Sequence, residues 1–162
     1  MSITTDIVDG WLRPKTVMRR HIARGVSEPF AFSLLVAFLV LAFVALWPQM
    51  SRESLLHPEV PMVQRVVAAG LALLASVPIW YLVAALSRWA AKVFGGKGSH
   101  YRARLALFAA LVTVTPAMLL QGLVAGMIGA GSQLFLVQVV VGLGFLYIWI
   151  SMLVVAERDD AV

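Results

Sequence analysis

Polar positions fall out of this chain in long blocks. No Asp, Glu, Lys or Arg occurs in 29–49, in 66–87, or anywhere in the 52 residues of 105–156. About 20 apolar residues in a helix cross a hydrocarbon layer about 30 Å thick, so the first two blocks predict one span each and the third predicts two. The long tract breaks best at Gly129-Ala130-Gly131-Ser132-Gln133, where glycine and polar side chains favour a turn. The predicted spans are 29–48, 66–87, 105–128 and 134–156. The fold class is therefore all-α, a polytopic membrane bundle of four transmembrane helices.

The polar segments add one more element. From Trp11 to Arg24 the sequence predicts an amphipathic helix with Pro14 in its first turn, where a missing N–H costs little. Trp11, Pro14, Met18 and Ile22 share one face, Arg13, Arg20 and Arg24 cluster opposite, and Lys15 and Arg19 flank the apolar stripe. This pattern predicts an in-plane interfacial helix docked on anionic lipid headgroups by Trp11, Met18 and Ile22. The chain then divides into an N-terminal segment (1–28), a four-helix membrane domain (29–156) and a short tail (157–162).

Charge orients the bundle. The first 28 residues carry Arg13, Lys15, Arg19, Arg20 and Arg24; the segment between the second and third spans carries Arg88, Lys92, Lys97, Arg102 and Arg104; the tail carries Arg158. Only Arg52 and Arg65 fall on the opposite side. The positive-inside rule places both termini and the middle loop in the cytoplasm, and membrane lipids become the expected partners. Composition agrees: 61% of residues are hydrophobic and 13% charged, against about a quarter charged in soluble domains. The net charge of +5 fits anionic headgroups, and no nucleic-acid partner is expected. Cysteine is absent, which removes disulfides, thiolate metal sites and thiol nucleophiles. The first apolar run lacks a small-residue cleavage pattern after it and is expected to remain as an anchor.

Candidate chemistry is sparse. Gly95-Gly96-Lys97-Gly98-Ser99 resembles a phosphate loop only superficially, because Gly98 separates Lys97 from Ser99 and a membrane helix, not a strand, precedes it. A tight reversal accounts for Gly95, Gly96 and Gly98, with Ser99 as helix N-cap and Tyr101 at the membrane surface. His21, His57 and His100 lie in separate segments, and Pro58 disrupts any alignment of Glu53, His57 and Glu59, so no metal site is expected. No Ser, His and carboxylate set shares a membrane depth, and the spans hold no ionisable residue, so catalysis, cofactors and coupled transport are not expected. What the spans do hold is mild polarity at Thr113, Thr115, Gln121 and Gln138, with kinks expected at Pro78 and Pro116. Small faces at Ala68, Ala72 and Ser76 on the second span, and at Gly122 and Gly126 on the third, are expected to admit a helix at close range, within the monomer or from a partner.

The run Gly95-Gly96-Lys97-Gly98-Ser99-His100-Tyr101, the basic Arg102 and Arg104, and an apolar span centred on Pro116 resemble the Yip family of small membrane proteins. Trp11-Leu12-Arg13-Pro14 through His21-Ile22, followed by an apolar span and a proline-punctuated outer loop, looks like a bacterial branch of it, with coverage over 14–156. The resemblance implies an integral membrane organiser without catalysis; members in secretory traffic are associated with Rab-type GTPases and vesicle formation, and many have five spans. This chain offers four, lacks an acidic-aromatic N-terminal motif, and has Val112 where a Gly-Tyr pair would precede the proline. The expected function is thus a non-enzymatic Yip-like scaffold, organiser or accessory subunit of the bacterial inner membrane, as homo-oligomer or in a larger complex. The alternative is a small oligomeric passive permease whose path Thr113, Thr115, Gln121 and Gln138 would line.

Overall fold

A computed structural model describes residues 3–158, and among them every regular element is a helix. Two short helices, α1 (Ile3–Leu12) and α2 (Pro14–Ala23), precede four long ones: α3 (Glu28–Leu56), α4 (Met62–Val93), α5 (His100–Met127) and α6 (Ser132–Ala156). All four long helices are apolar and long enough to cross a membrane. Residues 159–162 of the predicted tail lie outside the described residues.

Helix α5 is the axis. Every residue from Leu105 to Thr115 is buried, whichever way its side chain points, because α1, α2, α3, α4 and α6 all pack around this half. Alanines at 106, 109 and 110 keep its girth small enough for neighbours on all sides. Beyond Pro116 only Gly122 and Ala125 remain buried, facing α3. Helix α3 lays a continuous stripe of Ala31, Leu34, Leu35, Phe38, Ala42 and Ala45 along that axis. Helix α4 is peripheral: it leans on its neighbours through Leu73, Val77, Trp80, Tyr81 and Ala84, while its remaining faces are open. At the end away from the termini, the Arg52 guanidinium donates to the carbonyls of Gly126 (3.4 Å) and Met127 (3.2 Å), meeting the orphan acceptors where α5 stops.

The N-terminal segment departs from the single helix over Trp11–Arg24. Pro14 disfavours helical backbone at the residue before it, and Arg13 takes φ −141°, ψ 60°, so the helix breaks there into a hairpin. Trp11 and Leu12 close α1, and Trp11 no longer shares a helical face with Met18 and Ile22. The docking of Met18 in lipid is also corrected: α2 buries Pro14, Val17, Met18 and His21 at the i, i+3, i+4, i+7 spacing against the bundle, and Met18 is wholly buried. Protein offered this stripe a denser set of contacts than loose acyl chains do.

Candidate functional site

Two constructions stand at the end of the bundle that carries the termini. The first is the seat of the hairpin. Gly10 lies so close to α5 that a Cβ there would overlap the Thr113 side chain, and the Trp11 ring rests over Gly144 of α6. The Trp11 indole Nε1 donates to the Thr113 carbonyl at 2.9 Å. Pro116 explains why that carbonyl is approachable. Lacking an N–H, it leaves the Val112 carbonyl unmatched and disturbs the ladder around it. The Thr115 hydroxyl donates to Val112 (2.7 Å), and the indole supplies Thr113 with a donor from outside the helix. Asp6 and Asp9 on α1 pair with Arg20 on α2 at 3.3 and 2.6 Å, and Asp6 also reaches Arg24 at 3.7 Å. Arg24 lies over the Phe30 ring, 5.3 Å from its centroid. His21 is buried beside Asp6 and Arg24, and burial holds its imidazole below the ordinary 6.5; Asp6 opposes this, while Arg24 and Arg20 add to it.

Of the basic residues expected at the lipid surface, Arg13, Lys15 and Arg19 are exposed on the hairpin's outer face. Arg20 and Arg24 are engaged with the acids of α1, and Ile22 is half-buried against the core. Sequence reading missed this acidic pairing, although Asp6 and Asp9 at i, i+3 ahead of a proline break were its signal.

The second construction is a clamp made by the glycine loop. Gly95, at φ +84°, ends α4: its N–H bonds the Lys92 carbonyl (3.0 Å) and the Gly96 N–H bonds that of Ala91 (2.8 Å), the two bonds of a Schellman motif. The loop then closes around Glu157. The Lys97 amide donates to the Glu157 carbonyl (2.9 Å), the Gly98 amide to Glu157 Oε2 (3.0 Å), and Arg88 to the same oxygen (3.1 Å). A Cβ at Gly96 or Gly98 would overlap residue Glu157, which is why the stretch is glycine. The Arg88 and Glu157 side chains are only 13% and 7% exposed. Ser99 caps α5 by accepting from the Arg102 amide (3.2 Å), and the Tyr101 hydroxyl donates to the Gly25 carbonyl (3.5 Å). Arg104 pairs with Glu28. The glycine loop thus grips the chain's own carboxylate, a role Glu157 signalled only by being the first charge after the long apolar tract.

The remaining candidates distribute as follows. Gly122 and Gly126 lie against Ala45 and Pro48 of α3, close enough that a Cβ at either would overlap α3 backbone. On α4, Ala68 and Ala72 face outward and only Ser76 turns inward, bonding the Leu73 carbonyl (2.6 Å) and accepting from Trp80 (3.2 Å). Pro78 and Pro116 are both exposed, and the helices continue through them. The Thr113 and Thr115 side chains are buried, and their hydroxyls donate to carbonyls of their own helix. Gln121 and Gln138 line two adjoining cavities of about 270 and 350 Å³ between α3, α4, α5 and α6. Among the described residues, no cluster of three His, Asp or Glu able to hold a metal ion occurs.

A helical integral membrane protein, with an N-terminal hairpin seated on a four-helix bundle and a glycine loop locking its C-terminal end, is the class these features define. Residues 9–157 match the Yip1 domain family, from the hairpin to the clamped glutamate, and the chain belongs to that family. No curated protein and no solved structure matches it.

Proposed function

We propose that this Yip1-family chain is a non-enzymatic organiser of the bilayer, acting as scaffold or accessory subunit of a membrane complex, alone or as a homo-oligomer. The proposed setting is a bacterial inner membrane, with both termini and the glycine loop cytoplasmic. The observation that carries this reading is the unequal cross-section of the bundle. Near the termini six helices stand side by side, because α1 and α2 pack on α5 and α6; at the other end there are four. Thr113 lies nine residues past Arg104, so the hairpin tip reaches about 13 Å along α5 into the charge-free layer. A body wider in one leaflet than in the other favours bilayers curved around it. Arg13, Lys15 and Arg19 stand exposed on the outer face of the hairpin, and their long stems carry the charged ends toward the interface.

The test is reconstitution into anionic vesicles at matched protein density, with vesicle diameter read by electron microscopy. Wild type is expected to narrow the diameters, and Gly10→Leu, which cannot seat beside Thr113, to leave them as in empty vesicles. Equal diameters for all three samples would remove the wedge. A competing reading, an oligomeric passive permease, draws on Gln121 and Gln138 at the two adjoining cavities. It expects Gln138→Leu to abolish solute flux while vesicle shape stays unchanged.

A further inference from the structure

Near the termini α4 and α6 separate and leave a lateral groove of about 610 Å³, bounded by Ala90, Trp149, Leu153, Val154, Glu157 and Arg158. Its walls are mostly apolar. It opens between two spanning helices where the charge-free segments end, the level at which acyl chains meet headgroups. Two polar atoms of its lining residues are buried without a hydrogen-bond partner: Glu157 Oε1, an anionic acceptor, and Trp149 Nε1, a donor. Arg88 and the Gly98 amide both act on Oε2, so the clamp leaves Oε1 unmatched. An unmatched buried oxygen of a charged group is costly, and Glu157 and Trp149 both line space large enough for a ligand, which would meet these atoms once the side chains turn toward the groove.

The missing ligand must offer a donor at the headgroup level and an acceptor deeper in the layer. Glu157 and Trp149 are eight residues apart, about 12 Å along α6, so they read two different levels of one molecule. We propose that the groove binds one aminophospholipid of the adjoining leaflet, recognised by its primary ammonium. The ammonium donates to Glu157 Oε1, the phosphate faces Arg158, an ester carbonyl accepts from Trp149 Nε1, and an acyl chain lies on Ala90, Leu153 and Val154. A choline headgroup carries the same charge but has no N–H to donate, and a glycerol headgroup has no cation. The proposal requires that the four helices span, and is independent of the hairpin acting as a wedge.

The experiment is native mass spectrometry of the full chain in mild detergent, titrated separately with phosphatidylethanolamine, phosphatidylcholine and phosphatidylglycerol. A hydrogen bond to a charged group predicts roughly tenfold tighter retention of the ethanolamine lipid than of the choline lipid. Glu157→Gln is expected to remove that preference. Ala90→Trp, which fills the groove from an exposed position on α4, is expected to remove retention altogether, whereas Val140→Trp, on the open face of α6, retains it. If Glu157→Gln does not fold, Ala90→Trp decides. Equal retention of the three lipids by wild type, unchanged binding by Ala90→Trp, or a second copy of the chain in the groove in place of lipid would each overturn the assignment. Wild type that narrows vesicles without headgroup preference would remove the lipid site and leave the wedge standing.

Discussion

Glu157 and His21 show how much a single buried polar group controls in this protein. Glu157 accepts from Arg88 and from the Gly98 amide, and all of these lie at the closed end of the loop. Glu157→Ala would leave the Arg88 guanidinium, 13% exposed, without its counter-charge. Breaking one side of a buried ion pair costs about 3–5 kcal/mol, so a large drop in thermal unfolding temperature is expected in detergent, with a smaller drop for Glu157→Gln, which keeps an acceptor for Gly98. His21 contributes through its proton. Its folded-state pKa lies below the ordinary 6.5, chiefly through burial, so in that range the unfolded segment binds a proton more readily than the docked hairpin does. The share of hairpin stability that rests on neutral His21 is therefore complete above pH 6.5 and is lost as pH falls below it. A spin label at Leu12→Cys, unique in a chain without cysteine, is expected to gain mobility on acidification, and His21→Phe to flatten that response. Neither role stands in the sequence, because Arg88 and Glu157 are 69 positions apart and meet only when α4 and α6 end at one level.

Between elements, close approach separates the helices that must touch from those that need not. Gly122 and Gly126 let α5 press on α3 at Ala45 and Pro48, whereas Ala68 and Ala72 on α4 face away from the bundle. Gly122→Ile with Gly126→Ile is expected to abolish folded yield, since even ordinary overpacking costs about 1–3 kcal/mol and here the obstacle is backbone, which cannot rotate aside. Leu119→Ile with Leu123→Ile is the volume control. Ala68→Ile with Ala72→Ile is expected to fold normally and to shift size on chromatography only if α4 forms the contact between copies. Sequence reading treated these two small faces alike, because spacing identifies a groove without saying what fills it. The hairpin is a similar case. Its apolar stripe was legible, but whether lipid or protein covers it depends on the surface that α5 and α6 leave open beside Thr113 and Gly144.

For the molecule as a whole, orientation is the property that charge placement argues most directly. With 11 of the 13 Lys and Arg residues at the end carrying the termini, Phe94→Cys in the exposed glycine-loop region is expected to resist an impermeant thiol reagent in sealed cells, and Glu59→Cys to react. The opposite labelling would invert the bundle and move the hairpin to the outer leaflet. The sequence by itself determined that there are four helices long and apolar enough to span, because an apolar run of about 20 residues crosses a hydrocarbon layer as a helix, whose backbone N–H and C=O groups are satisfied within the segment. The positions of the glycine loop and the Ser99 cap were legible for a related reason: both are local, made from backbone geometry within a few residues. Only the tertiary structure decided which helix is central, that the loop's ligand is Glu157, and that α1 and α2 form a docked hairpin. In a membrane both buried and lipid-facing positions are apolar, so hydrophobicity cannot rank them; distance between helices does.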